Sequence, residues 1–235
     1  PGPDQVLRRP GDRALVASLK ISPSILAADF RCLEREVRRA EEAGADGFHL
    51  DIMDGHFVPN LALGFHDIEA LRRLTALPLD AHLMVQNPMD LWKRFADAGA
   101  ATLTAHIEVL ADPQSFRAVV QALGLKAGLA VRPGTDLGPF LGALAGFDLA
   151  LPMSVEPGFY GQAFMPESLA RIRRVRDELD RLGSRAELQA DGGIGPKTAA
   201  SAAAAGADHF VVGSAAFRPP DMKAALSQIR SLARV

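Results

Sequence analysis

The sequence is poor in several residue types whose abundance marks particular classes of protein. Among its 235 residues there is one cysteine, Cys32, and the 28 acidic residues exceed the 26 basic ones by only two. A single cysteine excludes an intrachain disulfide and a cysteine-rich metal site, and it favours a reducing, cytoplasmic location. A net charge of −2 gives no overall field that would attract nucleic acid or an anionic membrane. Any anionic ligand is therefore expected to bind at a local site.

Long apolar runs are also absent. No apolar stretch approaches the roughly 20 residues that span a bilayer, and residues 1–19 lack the apolar core of a signal peptide. We therefore expect neither a membrane protein nor a secreted one. Residues 1–19 mix Pro, Gly and Arg, which predicts a poorly ordered N-terminal extension. Residues 20–235 contain no linker-like segment and are expected to form one catalytic domain.

Three segments repeat one pattern, in which a helix ends at glycine and an apolar strand follows: AGADGFHLDI, AGAATLTAHIE and AGADHFVVGS. Their glycines Gly44, Gly99 and Gly206 are 55 and 107 residues apart, close to two and four multiples of 27. Residues 20–235 hold eight units of that length, which predicts an α/β fold of the (β/α)₈ TIM-barrel type. An open, doubly wound sheet is the alternative, because periodicity alone does not show closure.

The expected strands cover 19–25, 47–53, 79–85, 102–107, 126–131, 147–154, 186–191 and 208–213. Helical patterns lie between them, among them 29–44 and 166–183. The basic run RIRRVR at 171–176 is expected to be the solvated face of the second of these helices.

Histidine and aspartate recur where these strands end. In HLDIMDGHFVPN, residues 49–60, the side chains of His49, Asp51 and Met53 alternate onto one face. His82 precedes Met84 in the same way, and Asp191 ends the seventh strand. Barrel active sites lie at this end of the strands. His49, Asp51, His82 and Asp191 together form a ligand set suited to one divalent ion such as Zn²⁺, Mn²⁺ or Fe²⁺; packed core histidines are the alternative.

Asp51 and Asp191 belong to strands three steps apart in an eight-strand ring. Their carboxylates could therefore approach a small molecule from different sides. Such a pair suits a two-base inversion beside a carbonyl, in which one group removes a proton and the other returns one to the opposite face.

Clustered glycines follow the sixth, seventh and eighth strands, at 157–162, 191–193 and 213–214. They favour a phosphate site built from backbone N–H groups, although ordinary turns remain the alternative. Met53, Met84 and Met153 all fall at strand ends and could form an apolar collar over a reacting carbon. Asp54 and His56 are expected to shape a turn. His106 and Glu108 could support the site or simply cap the fourth strand.

Six segments carry a family resemblance: ISPSILAADF, HLDIMDGHFVPN, AHLMV, MSVEPGFYGQ, DGGI and VVGSAAF. Together they resemble the ribulose-phosphate 3-epimerase family from about residue 20 onward. The resemblance implies a ribulose-phosphate-binding barrel that interconverts D-ribulose 5-phosphate and D-xylulose 5-phosphate. It also implies one divalent metal ion per subunit, Zn, Fe, Mn or Co, and assembly into dimers or hexamers.

The resemblance also implies roles for individual residues. Asp51 and Asp191 would be the acid/base pair, and the metal ligands would be His49, Asp51, His82 and Asp191. The residues in contact with substrate would be Ser24, His82, Met53, Met84, Met153, Gly158, Phe159, Tyr160, Gly161, Gly192, Gly193, Gly213 and Ser214.

Tyr160 departs from the family pattern, which usually has a small residue there. Its ring could point to solvent or to a neighbouring subunit, or its hydroxyl could reach the phosphate. A D-allulose-6-phosphate 3-epimerase, or another ketose-phosphate 3-epimerase, is therefore an alternative function. A barrel synthase or decarboxylase is disfavoured because HLMVQNP contains no lysine. A non-catalytic sugar-phosphate-binding protein is the alternative from another class.

Overall fold

The computed structural model describes residues 19–233, so all but the last residue of the expected N-terminal extension lies outside the described part. The strands are β1 (Lys20–Pro23), β2 (Phe48–Asp54), β3 (Leu61–Ala62), β4 (Leu79–Met84), β5 (Thr102–His106), β6 (Lys126–Val131), β7 (Leu149–Pro152), β8 (Glu187–Ala190) and β9 (His209–Val212). The helices are α1 (Leu33–Glu42), α2 (Phe65–Leu74), α3 (Pro88–Asp97), α4 (Pro113–Ala122), α5 (Leu137–Ala143), α6 (Ser168–Arg181), α7 (Ala199–Ala204), α8 (Ser214–Phe217) and α9 (Met222–Leu232).

Eight of the strands form a closed parallel ring. The sheet runs in the order β1, β9, β8, β7, β6, β5, β4, β2, β3, and every pairing is parallel except that of β2 with β3. A parallel bridge between Ser24 and His49 joins the end of β1 to β2 and completes the circle. The (β/α)₈ barrel is therefore confirmed, and the open sheet is wrong.

Strand burial explains why a barrel forms. All residues of β4, β5, β7 and β9 are buried, as expected of parallel strands that are covered by helices outside and by packed side chains inside. The repeated glycines end helical segments in the left-handed region, with φ of +84° at Gly44, +108° at Gly99 and +110° at Gly206. One repeated motif thus produces the same helix-to-strand turn at three places in the ring.

The predicted strand bounds agree with the structure to within two residues at either end. The sequence pattern did not predict β3, a two-residue strand antiparallel to the end of β2. The helix expected at 29–44 opens as a 3₁₀ turn over residues 30–32, before α1 begins at Leu33. No helix of the described residues is both long and apolar enough to cross a membrane.

The expectation for the basic run at 171–176 is wrong at its last residue. Arg176 is buried against the rest of the barrel. Its guanidinium donates to the carboxylate of Asp208 at 2.8 Å and to the carbonyl of Gly206 at 3.1 Å. This arginine therefore ties α6 to the turn before β9 instead of facing solvent.

Candidate active site

The four residues predicted as metal ligands come together at the carboxyl end of the barrel. His49 and Asp51 alternate along β2, His82 lies on β4, and Asp191 follows directly after β8. One nitrogen or oxygen from each side chain lies within 4.8 Å of the corresponding atoms of the other three. These four side chains could therefore hold one metal ion, and their role as ligands stays a prediction.

The two imidazoles and two carboxylates face one small volume. His49 Nε2 and His82 Nδ1 are 3.3 Å apart, and Asp51 Oδ1 lies 3.4 Å from each of them. Asp191 Oδ2 lies 3.8 Å from His49 Nε2 and 4.0 Å from His82 Nδ1. Both imidazoles are fully buried, so no bulk water separates these groups.

Asp80 orients His49. The two residues are direct partners in the pairing of β2 with β4. Asp80 Oδ2 lies 3.0 Å from His49 Nδ1 and also accepts from Gln189 Nε2 at 2.9 Å, while its Oδ1 accepts from Thr104 Oγ1 at 3.2 Å. The proton on His49 Nδ1 points to this carboxylate, which leaves the Nε2 lone pair aimed at the centre.

Asp80 contacts a residue of the candidate site, although the sequence pattern did not select it. It lies two residues before His82, and therefore on the same face of β4. The alternation of side chains along a strand, which placed His82 and Met84 on one face, also places Asp80 there.

The orientation of His82 depends on a second imidazole. His82 Nε2 lies 2.8 Å from His106 Nε2, and His106 Nδ1 lies 3.2 Å from Glu108 Oε2. His106 is fully buried, and burial lowers its pKa to about 4. His106 and Glu108 thus contact the site through His82, and their function stays open at this point.

This donor set fits a divalent cation. Two imidazole lone pairs and two carboxylates converge, and all four groups present hydrogen-bond acceptors to the centre. Such an arrangement needs a positive charge there. The pKa of His49 indicates the same need for positive charge at the site. Burial opposes charging of His49, yet the carboxylates of Asp51 and Asp80 raise the pKa of His49 well above its usual value.

The two candidate bases differ in their surroundings. Burial raises the pKa of Asp191 to about 6, and the negative charge of Asp51 adds to this rise against the opposing effect of the imidazoles. Burial also acts to raise the pKa of Asp51, but His49 and His82 outweigh it and hold that pKa well below its usual range. Neighbouring carboxylates in different environments are suited to opposite acid and base roles.

An open pocket lies above the four residues. Asp51 and Asp191 line its floor, and Ser24 donates from Oγ to Asp51 Oδ2 at 2.7 Å. The three predicted collar residues Met53, Met84 and Met153 also line it, and all three are at least 96% buried. The three methionines therefore line the same pocket as the two carboxylates, and their packing over a reacting carbon stays a prediction.

The three glycine-bearing turns also line this pocket. The glycine-turn residues that line it are Gly158, Phe159, Tyr160, Gly161, Gly192, Gly193, Gly213 and Ser214. No lysine or arginine of the described residues lines it. A phosphate held here would therefore depend on backbone N–H groups, which is the arrangement predicted from the clustered glycines.

The turn over 157–162 is tethered to the segment after β2. Asn60 Nδ2 donates to the carbonyl of Gly158 at 2.7 Å. Phe159 and Tyr160 then extend from the tethered turn and are more than half exposed at the pocket entrance. The nearby turn is shaped by Asp54, whose Oδ1 accepts from the backbone N–H groups of His56 at 2.8 Å and Phe57 at 2.9 Å.

Solved structures with the same architecture bind or act on other molecules. The structure resembles 3-keto-L-gulonate-6-phosphate decarboxylase from Vibrio cholerae with a TM-score of 0.69 and 13% identity, covering 92% of this chain and 97% of that one. It also resembles 3-hexulose-6-phosphate synthase from Salmonella typhimurium with a TM-score of 0.67 and 18% identity, covering 92% and 98%. At these identities the likeness shows the barrel fold alone.

Closer relatives are found by sequence. Ribulose-phosphate 3-epimerase of Mycobacterium bovis is 47% identical over 211 residues, which cover 89% of this chain and 91% of the relative. The enzyme of Bacillus subtilis with the same name is 40% identical and covers 90% and 98%. A rice relative named as the cytoplasmic isoform is 43% identical and covers 92% and 95%.

The model of the ribulose-phosphate 3-epimerase family matches residues 20–217, a range that includes every side chain of the four-residue cluster and every turn around the pocket. Family and site thus agree over the same stretch of sequence, and the chain belongs to the ribulose-phosphate 3-epimerase family.

Proposed function

We propose that this protein interconverts D-ribulose 5-phosphate and D-xylulose 5-phosphate by epimerisation at C3. The observation that carries the proposal is the pair of carboxylates, buried Asp51 and partly buried Asp191, in a pocket that three methionines and three glycine-bearing turns also line. The names of the relatives support the same reaction.

Proton balance assigns complementary states to the two carboxylates. The ionised one takes the C3 proton, and the electron pair of that C–H bond passes into the adjacent carbonyl to give a planar enediolate. The protonated one then returns a proton to C3 from the opposite face and ends the cycle ionised. Exchange of a proton with solvent restores the starting state. Asp51 and Asp191 come from separate strands, which allows the approach from two sides that inversion requires.

His49, Asp51, His82 and Asp191 would hold one divalent ion. When bound, that ion supplies positive charge that stabilises the negative oxygens of the enediolate. The protein fixes these side chains from below: Asp80 orients the ring of His49, and Ser24 holds one oxygen of Asp51 by a hydrogen bond. Met53, Met84 and Met153 would exclude water from the reacting carbon.

The phosphate would bind against the backbone of Gly192, Gly193, Gly213 and Ser214, with the turn carrying Gly158, Phe159, Tyr160 and Gly161 as its cover. We also propose a cytoplasmic location, supported by the name of the rice relative, and assembly into a homo-oligomer. Neither nucleic acid nor a membrane is proposed as a partner.

Deuterium incorporation tests the proposal. The protein would be incubated in D₂O with D-ribulose 5-phosphate and, separately, with D-allulose 6-phosphate, and C3 would be followed by NMR. We expect loss of the C3 proton signal and appearance of D-xylulose 5-phosphate. Faster exchange with the six-carbon substrate would favour the allulose-6-phosphate enzyme. Binding of both compounds without exchange would show a non-catalytic sugar-phosphate-binding protein.

A further inference from the structure

We propose that Glu108 is a positioning residue that sets, through His106, which nitrogen of His82 carries a proton, and thereby sets the affinity of the metal site. This inference deepens the proposed function and rests on it. Glu108 lies outside the four-residue cluster and outside the pocket lining. It connects to the site through His106, which in turn contacts His82.

The two oxygens of Glu108 have different partners. Oε1 accepts from the backbone N–H of Arg132 at 2.8 Å and from Thr135 Oγ1 at 2.6 Å. Oε2 faces His106 Nδ1 at 3.2 Å. Because a carboxylate only accepts hydrogen bonds, the proton of His106 must lie on Nδ1.

That proton placement determines the next one. With Nδ1 protonated, His106 Nε2 presents a lone pair, and it lies 2.8 Å from His82 Nε2. His82 therefore donates from Nε2 and keeps its own lone pair on Nδ1. Nδ1 is the atom that faces Asp51 Oδ1 at 3.4 Å and the centre of the cluster. Glu108, in the turn that follows β5, thus determines whether His82 can be a ligand.

The positions of these residues argue against a purely structural role. His82 and His106 are fully buried side by side, with ring centroids 5.0 Å apart. Neither ring can therefore form a hydrogen bond with bulk solvent in place of its protein partner. The side chain of Glu108, in contrast, is 19% exposed. Glu108→Gln keeps the size of this side chain and changes the only acceptor that Nδ1 of His106 has among the described residues.

Glutamine at position 108 is the sharpest test. Its single amide oxygen is held by two donors, Arg132 N–H and Thr135 Oγ–H, so its NH₂ group turns toward His106. His106 would then accept at Nδ1 and donate from Nε2, and His82 would carry its proton on Nδ1, inside the metal site. Alanine at 108 imposes no such proton placement, because water can enter and accept from His106.

The experiment compares Glu108→Gln and Glu108→Ala with the wild-type protein. Each protein would be stripped of metal, and its Kd for Zn²⁺ and Co²⁺ would be measured by competition with a chromogenic chelator. The matched control is Glu69→Gln, because Glu69 Oε2 lies at the same 3.2 Å from Nδ1 of an exposed helical histidine, His66. ¹⁵N NMR of the metal-free proteins would show which nitrogen of His82 is protonated.

We expect Glu108→Gln to bind both ions roughly 10- to 100-fold more weakly than wild type, Glu108→Ala to lose less, and Glu69→Gln to lose nothing. The NMR signal should show His82 protonated on Nε2 in the wild type and on Nδ1 in Glu108→Gln. Wild-type affinity in Glu108→Gln, or a greater loss in the alanine variant, would overturn the proposal. If the wild type binds neither ion, the metal centre of the proposed function is refuted, and an unchanged His82 proton in Glu108→Gln would separately refute this inference.

Discussion

Asp51 and Asp191 approach the same nitrogen atom from different strands: their carboxylate oxygens lie 3.4 Å and 4.0 Å from Nδ1 of His82. Two strands, β1 and β9, separate β2 from β8 in the ring, so this proximity depends on closure of the barrel. Neither carboxylate could share a ligand or a substrate with the other in an open sheet.

Loss of either carboxylate should nearly abolish epimerisation. We expect Asp51→Asn and Asp191→Asn each to lower kcat by about 10² to 10⁴, the usual cost of removing a general acid or base. Asp97→Asn is the control, because Asp97 is a surface residue paired with Lys93 at 2.7 Å. A coupled assay for D-xylulose 5-phosphate measures the rates. Activity within tenfold of wild type in either site variant would refute the two-base assignment.

Asp80 should contribute to stability as well as to the site. His49, Gln189 and Thr104 all donate to its carboxylate, so an alanine would leave these buried donors without that acceptor. We expect Asp80→Ala to lower the free energy of unfolding by about 1–3 kcal/mol, the cost of an unsatisfied buried polar group. Urea unfolding measures this change, and stability equal to wild type would show that the three donors have other acceptors.

Gly193 and Gly213 should respond differently to a side chain. Gly193 has φ of +67°, and a Cβ there would lie 2.3 Å from the backbone nitrogen of Phe164. The nearest atom to a Cβ at Gly213 is the Cβ of Ala27, at an ordinary 3.5 Å. We expect Gly193→Ala to destabilise the fold by at least about 2 kcal/mol, because strain and overlap add.

Gly213→Ala should unfold at the same urea concentration as wild type. The bulkier Gly213→Val tests the phosphate site. We expect Gly213→Val to raise KM for the sugar phosphate while kcat changes less, because the added side chain blocks approach to the backbone. Normal KM in a folded Gly213→Val protein would place the phosphate elsewhere.

Tyr160 should influence the choice between five-carbon and six-carbon substrates. Its side chain is 60% exposed at the pocket entrance. If its hydroxyl binds the phosphate, both Tyr160→Phe and Tyr160→Gly should shift the ratio of kcat/KM values severalfold, which corresponds to about 1 kcal/mol for one hydrogen bond. A shift in Tyr160→Gly alone would assign the effect to bulk. Unchanged ratios in both variants would show that the ring faces away from the substrate.

Glu187 should make the barrel less stable in acid. Burial acts to raise the pKa of Glu187, but hydrogen bonds from His209, Lys126 and Lys20 outweigh it and hold that pKa well below the ordinary value of 4.5. The unfolded chain therefore binds a proton before the folded one does, so this stabilisation is complete above pH 4.5 and is lost as the pH falls below it.

Unfolding in urea between pH 7 and pH 3 measures this effect. We expect the free energy of unfolding of Glu187→Gln to fall less steeply below pH 4.5 than that of the wild type. Parallel curves for the two proteins would show that other carboxylates are responsible for the acid sensitivity.

Much of the fold follows from local sequence. The 27-residue spacing, the glycines that end helical segments and the alternation along residues 49–53 depend only on neighbours in the chain, and they predicted the strand bounds closely. The same period of two selected His49, Asp51 and His82. Asp80 obeys that period too, but a lone buried carboxylate has no local mark that distinguishes it from a turn residue.

Tertiary structure alone decided how these residues interact. The partners of Asp80 come from three other strands, and Glu108 reaches His82 through His106 and is itself held by Arg132 and Thr135, 24 and 27 residues away along the chain. Arg176 is buried although its segment has the pattern of an exposed basic surface. Its guanidinium is stabilised there because it donates to Asp208 and to the Gly206 carbonyl. Local periodicity can place a side chain on a face, but a hydrogen-bond partner from a distant strand becomes known only once the barrel has closed.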